Sequence, residues 1–301
     1  MSFSSKTKDA LLAELPSKAC CKRALLMGML TYSNVYSKDR IKIITENKYA
    51  ADAVCSLMSE LYGVSCNVIS STKDKSCKIT VNDRKEIAKM SKLFPSDPVT
   101  LYRINEAVFD ARCGRCFSVF MRGAFIAAGT VSKPQSSFHL EISSPRKNLV
   151  NDTVKLLNEN GLNPHLTVRN SNNVIYFKKC DDIADFLGFI GASAASFDYI
   201  NESIIRESRS LANRAVNCDT ANIRKTVNAA TLALSAIRTI MEAGKLDELP
   251  PDLRATAVLR YENPQASLNE LSELSEPKLT KSGINHRLKR IIEFAKTIVS
   301  E

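Results

Sequence analysis

Met121-Arg122-Gly123-Ala124-Phe125-Ile126-Ala127-Ala128-Gly129-Thr130 is a run of small and apolar residues centred on a glycine. A partial echo of it stands earlier in the chain as Leu26-Met27-Gly28-Met29-Leu30-Thr31-Tyr32-Ser33-Asn34. Each copy reads as a helix. Its central glycine permits close backbone approach, and a second glycine or an asparagine follows where a helix can end. Gly28 and Gly123 lie 95 residues apart, and neither copy carries a carboxylate. Two glycine-centred helices of this kind are expected to pack against one another.

Comparable elements follow each copy in the same order. After the first come a strand-like run at Ile41–Ile44, a helix over about Lys48–Tyr62, and β-rich runs at Cys66–Ser70 and Lys78–Val81. After the second come Phe138–Ile142, a helix over Arg146–Asn160, and strands at Leu166–Arg169 and Val174–Phe177. Each half closes on a helical segment, Arg84–Leu93 and Asp181–Ile190. The expectation is an α+β N-terminal domain made of tandem αββαββα halves, residues 1–95 and 96–200. A helical linker over 201–247 and an all-α helix-turn-helix domain over 248–301 follow.

The 301 residues suffice for more than one core. The most apolar stretch, Phe117–Val131, is shorter than the ~20 residues that span a bilayer and contains Arg122. The opening residues lack the apolar block of a signal peptide. Nine cysteines without a pairing pattern fit reduced thiols better than a disulfide framework. The expected location is therefore the cytoplasm, in association with the nucleoid.

A net charge of +10 favours an anionic partner. Residues 1–100 carry 16 basic against 10 acidic side chains, and the remaining excess is spread thinly except at the C-terminus. There Lys278, Lys281, Arg287, Lys289, Arg290 and Lys296 face Glu293 alone, whereas Glu262, Glu270, Glu273 and Glu276 precede them. This segment has helix-turn-helix grammar. Pro250-Pro251 opens a helix with Leu253, Ala257, Val258 and Tyr261 on one side, and Asn263-Pro264 breaks it. Ser267-Leu268-Asn269-Glu270 matches a capping box, and Ser275–Lys278 forms a turn. Ile284, Leu288, Ile291, Ala295 and Ile298 then recur at spacings of 4, 3, 4 and 3. The opposite face presents Ser282, Asn285, His286, Arg287, Lys289 and Arg290. Lysine and arginine neutralise phosphates, and asparagine and arginine can bond base edges in the major groove. Lys278, Lys281, Ser282, Asn285, His286, Arg287, Lys289 and Arg290 are the candidate DNA-binding residues, with Ser282 also expected to cap the helix. Upstream, Asp219 or Thr220 is expected to cap a helix that packs its own chain through Ile223, Val227, Ala230, Leu234, Ile237 and Met241, ending at Gly244.

Catalytic patterns are lacking. His139, His165 and His286 are dispersed, and Gly244-Lys245 has neither the upstream glycine nor the following hydroxyl of a P-loop. Cys113-Gly114-Arg115-Cys116 has CxxC spacing and Cys20-Cys21 is a second thiol pair, but zinc sites ordinarily show better-spaced pairs. No metal and no cofactor are expected from this pattern.

The two glycine-centred helices with their repeated strand order resemble the paired LAGLIDADG helices of homing endonucleases. Over nearly the entire chain, Arg122–Gly129, Phe138–Ile142, Asn217–Asn222 and Ser282–Leu288 resemble the WhiA family of bacterial regulators. That resemblance implies a degenerate endonuclease-like domain joined to a helix-turn-helix similar to region 4 of sigma factors. It also implies binding of double-stranded DNA linked to sporulation, cell division and chromosome segregation. Another transcription factor or a sigma factor is the further partner it allows, and no membrane is involved. An active enzyme of that fold needs an acid near the end of each paired helix to hold a divalent ion. Aligning the glycines puts Ser33 and Ala128 there. Asp39, the nearest acid after the first helix, has no counterpart in Ser132–Ser137. The expectation is a non-enzymatic regulator in which Gly28 and Gly123 pack the halves together; a metal-dependent endonuclease and a protein-binding scaffold are the alternatives.

Overall fold

The protein is described by a computed structural model covering residues 1–36, 40–71, 76–93 and 103–299. It divides into two compact units, Met1–Arg206 and Glu207–Glu301.

The first unit is built twice from one plan. The order is α1 (Phe3–Ala13), α2 (Ala19–Thr31), β1 (Val35–Tyr36), β2 (Ile41–Thr45), α3 (Lys48–Tyr62), β3 (Asn67–Ser71), β4 (Ser76–Val81) and α4 (Arg84–Lys89). The second round is α5 (Cys116–Ala128), β5 (Gly129–Val131), β6 (Leu140–Ser144), α6 (Lys147–Glu159), β7 (His165–Arg169), β8 (Asn172–Phe177) and α7 (Cys180–Phe189). Both sheets are antiparallel with matching orders, β1-β2-β4-β3 and β5-β6-β8-β7. Ile41 pairs with Val81 in one, and Leu140 with Phe177 in the other. The tandem αββαββα reading therefore holds. The boundary expected at 95/96 falls outside the described residues, as does Asp39.

The helices α2 and α5 form the spine. A Cβ placed on Gly28 would lie 2.1 Å from the Phe120 carbonyl oxygen, and one on Gly123 would lie 2.3 Å from that of Leu25. The obstructing atoms are backbone, which cannot rotate away. From this contact the core spreads through Leu25, Leu26, Met27, Leu30, Phe120, Met121, Ala124 and Phe125, all fully buried. The halves are also joined where the buried Tyr32 hydroxyl meets Thr153 Oγ1 at 2.7 Å. Apolar positions alternate inward along β4, β6 and β8, as a half-buried sheet requires.

Three details differ from expectation. The helix α1, which buries Thr7, Leu11 and Leu12, has little periodic signal in its serine- and lysine-rich start. The strand expected over Phe138–Ile142 is β6, the second of its half, and begins two residues late, at Leu140, because Ser132 Oγ bonds the backbone of Ser137 and His139 and holds that approach as a turn. The helix expected to start at Asp219 or Thr220 has no cap there: α8 runs from Ser193 to Glu242. Ile223 and Val227 on it are exposed, so the apolar series packs only toward its end, where Ile237 is buried.

The second unit continues with α9 (Pro251–Glu262), α10 (Leu268–Leu274) and α11 (Lys281–Val299) around Ala233, Ile237, Ile240, Leu253, Ala257, Leu271, Ile284, Leu288, Ile291 and Ala295.

Gly28→Ala is expected to force the paired helices apart and to lower stability by about 3 kcal/mol, the upper end for overpacking. Gly283→Ala meets its nearest atom at 3.4 Å. It should leave the melting temperature within experimental error or raise it. Thermal unfolding followed by circular dichroism separates the two.

Candidate nucleic-acid interface

In the second unit two helices are joined by a turn that hydroxyl groups hold rigid. Ser267 and Glu270 form the expected capping box: Ser267 N donates to Glu270 Oε2 at 2.7 Å, and Glu270 N to Ser267 Oγ at 3.2 Å. The backbone N–H of Ser267 holds the Glu270 carboxyl below its usual range. At the far end of α10, buried Ser275 accepts from Leu279 N at 2.9 Å and donates to the Ser272 carbonyl at 2.9 Å, while Ser272 Oγ donates to the Leu279 carbonyl. These three bonds fix the angle at which α11 leaves the turn.

The α11 helix then sorts its residues by face. Ile284, Leu288, Ile291 and Ala295 are buried, and Ile298 packs against the same core partly covered. Lys281, Ser282, Asn285, His286, Lys289 and Arg290 are exposed on the other side, and Lys278 is exposed in the preceding turn. Seven of the eight candidates are therefore exposed. Arg287 is not. It is half-buried and turned toward α9, its Nη1 donating to the Asp252 carbonyl at 3.3 Å and to Thr256 Oγ1 at 3.4 Å, with Nε 3.6 Å from the Asp252 carboxylate. Ser282 is not the cap: Thr280 Oγ1 accepts from Gly283 N at 3.1 Å. On α9, Tyr261 is exposed, and Arg260 takes the inward position expected of it. Its guanidinium donates to the carbonyls of Ala266 and, at 3.2 Å, Pro264. Burial lowers its pKa, and those carbonyls hold the α9–α10 loop to the core.

The first unit has a second candidate, where α2 and α5 end. A cavity of about 320 Å³ is lined by Met29, Tyr32, Ser33, Asn34, Ile126, Ala127, Ala128 and their neighbours, with no carboxylate among the described residues that line it. Ser33 Oγ is spent on the Leu30 carbonyl at 2.6 Å. Arg146 Nη1 donates to the Thr31 carbonyl and, at 3.2 Å, to that of Ser33. A fixed cation thus covers the negative end of α2, a role that nothing in the linear sequence connects to position 146. Of the dispersed histidines, His139 Nε2 pairs with Glu141 at 3.0 Å and the His165 ring lies 5.2 Å from that of Tyr176.

At the opposite ends of the same two helices, Cys20, Cys21, Cys113 and Cys116 converge, although their spacing led to no expectation of a metal. The Arg115 backbone N–H and the Cys21 thiol hold Cys113 down at about 7. Burial pushes Cys21 up to about 12 and Cys116 to about 11.

Comparison with known proteins gives consistent matches for both units. The family model described as the WhiA C-terminal HTH domain matches residues 212–295, and that of the WhiA LAGLIDADG-like domain matches residues 117–209. A "Probable cell division protein WhiA" of Desulfitobacterium hafniense (strain Y51) is 34% identical, covering 99% of this chain and 96% of its own. One of Bacillus licheniformis is 35% identical, covering 100% and 98%. The crystal structure of a full-length DUF199/WhiA protein from Thermatoga maritima is 26% identical with a TM-score of 0.61 and covers 99% of both chains.

Arg260→Ala is expected to destabilise the second unit by about 2 kcal/mol, since it leaves loop carbonyls unpaired. Urea unfolding with the loss of helicity as readout measures the shift.

Proposed function

From the premise that the chain belongs to the WhiA family, we propose that it is a non-enzymatic, double-stranded-DNA-binding regulator acting in cell division, with sporulation and chromosome segregation as finer roles. The observation that carries this is the sorting of α11. Lys278, Lys281, Lys289 and Arg290 are exposed together with Ser282, Asn285 and His286, while the apolar face is consumed by the core. A helix of these dimensions on a rigid turn fits the major groove. Lys278, Lys281, Lys289 and Arg290 neutralise phosphates; Asn285 is of the type that reads base edges. Arg287 is assigned to holding α11 on α9 and not to reading bases.

The absence of catalysis is part of the same reading. In-line phosphodiester hydrolysis by paired helices needs carboxylate oxygens to hold the divalent ions. The cavity at the helix ends is lined by Ser33 and Ala128 where carboxylates would be needed, and the Arg146 guanidinium is bonded to the nearby Thr31 and Ser33 carbonyls. Pure protein incubated with supercoiled DNA and Mg²⁺ or Mn²⁺ is expected to leave it unnicked.

A second reading, a protein-binding role for the first unit, is favoured by the exposed apolar side chains of its sheets. Val68 and Ile69 on β3 and Leu166 and Val168 on β7 face solvent. Such patches suit a protein partner, for example another transcription factor, better than phosphates.

Replacing Lys289 and Arg290 together by alanine should weaken DNA binding and reduce the slope of log affinity against log salt by about 2, close to one per lost phosphate contact. Arg287→Ala should lower thermal stability and leave that slope unchanged. Fluorescence anisotropy on labelled duplexes across a salt series reads both; an unaltered slope in the double variant would remove α11 from the interface.

A further inference from the structure

Nine cysteines are scattered along the sequence, and the fold gathers four of them. Cys20 and Cys21 lie in the first turn of α2, Cys116 opens α5, and Cys113 sits one turn earlier, with Gly114 between them at φ +60°. The four Sγ atoms all lie within 4.8 Å of one another, Cys21 and Cys113 being 3.4 Å apart. Around a single tetrahedral ion with Zn–S bonds of about 2.3 Å, ligand sulfurs stand about 3.8 Å apart. A polynuclear iron–sulfur cluster would need them wider, because bridging sulfides separate its metals. The side chains are therefore at the spacing of a one-ion site.

We propose that Cys20, Cys21, Cys113 and Cys116 bind one structural zinc ion that ties the start of α2 to the start of α5. The donor set is soft and closed, with no oxygen or water position, which is the pattern of structural rather than catalytic zinc. Three of the sulfurs are buried and Cys113 is partly accessible. Cys21 also lines a cavity of about 240 Å³ together with Glu14, Lys18, Arg115 and Arg122. A tetrathiolate zinc centre carries two negative charges. It would lie at two helix N-termini, whose exposed N–H groups favour negative charge, with Lys18 and Arg115 beside it. The glycine at φ +60° lets the chain turn sharply between Cys113 and Cys116, so that both can face one ion. The site also has a purpose in the fold. The Gly28–Gly123 contact holds the paired helices together toward their C-terminal ends, and the ion would hold them at their N-terminal ends.

The test uses the full chain, expressed in zinc-supplemented medium and purified under reducing conditions, with metal content measured by inductively coupled plasma mass spectrometry. The expected result is about one zinc per chain, falling to below about 0.1 in Cys113→Ser/Cys116→Ser and unchanged in Cys66→Ser and Cys218→Ser. Should the double variant fail to fold, the wild-type chain decides. Stripped and reloaded with Co²⁺, it should show thiolate-to-cobalt charge transfer and the strong visible bands of tetrahedral coordination, and zinc removal should lower its melting temperature. A reduced wild-type chain that holds no zinc and develops no such cobalt spectrum would overturn the proposal. So would a chain isolated with Cys21 and Cys113 joined as a disulfide that refuses metal after reduction.

Discussion

Two glycines without side chains set the distance on which the first unit depends. Because Gly28 and Gly123 put backbone against backbone, the α2 and α5 axes approach more closely than any Cβ would permit. The large side chains flanking them, Leu25, Phe120, Met121 and Phe125, then fill the space on either side instead of separating the helices. Each helix carries its own sheet, so the same contact fixes how one half is docked on the other. Burial of the Tyr32–Thr153 hydrogen bond, which crosses between the halves, requires that spacing. The packing constraint survives although the helix ends no longer carry acids. Close approach depends on the two glycines, and metal binding at Ser33 and Ala128 would depend on carboxylates beyond them.

The second unit solves a different problem, that of presenting a charged face without letting it collapse on its own acids. Arg287 on the flank of that face and Arg260 on α9 are both put to structural use. One is bonded to α9 through Asp252 and Thr256, the other to the carbonyls of a loop. What remains exposed is chemically varied and held on a helix whose departure angle is set by three hydroxyl-mediated bonds. Rigid display matters because a helix free to rock would spread its contacts over several registers of a duplex.

Sequence periodicity carried much of this architecture. The α3 helix occupies Lys48–Tyr62 as its apolar spacing predicts, and the capping box at Ser267 and Glu270 forms as the local chemistry requires. Both are short-range signals, complete within a few residues. What escaped was long-range or depended on rotation about a single helix. Arg287 lies at the flank of the basic face, where a small turn decides between solvent and α9. The buried Arg260 and exposed Tyr261 exchange the positions that hydrophobicity assigns, because loop carbonyls nearby reward a guanidinium. Cys20-Cys21 and Cys113–Cys116 are about 92 residues apart, and the adjacent first pair lacks ordinary zinc spacing, yet the helix pair makes all four neighbours.

The guanidinium of Arg146 at the end of α2 has an evolutionary consequence. Had the helix ends merely lost their acids, two substitutions could return them. Instead, the side chain of Arg146, the residue before α6, is bonded to the Thr31 and Ser33 carbonyls. A carboxylate introduced at position 33 would enter a helix end whose last carbonyls are already tied to a guanidinium, so the acid alone would not recreate an open end for a hydrated metal.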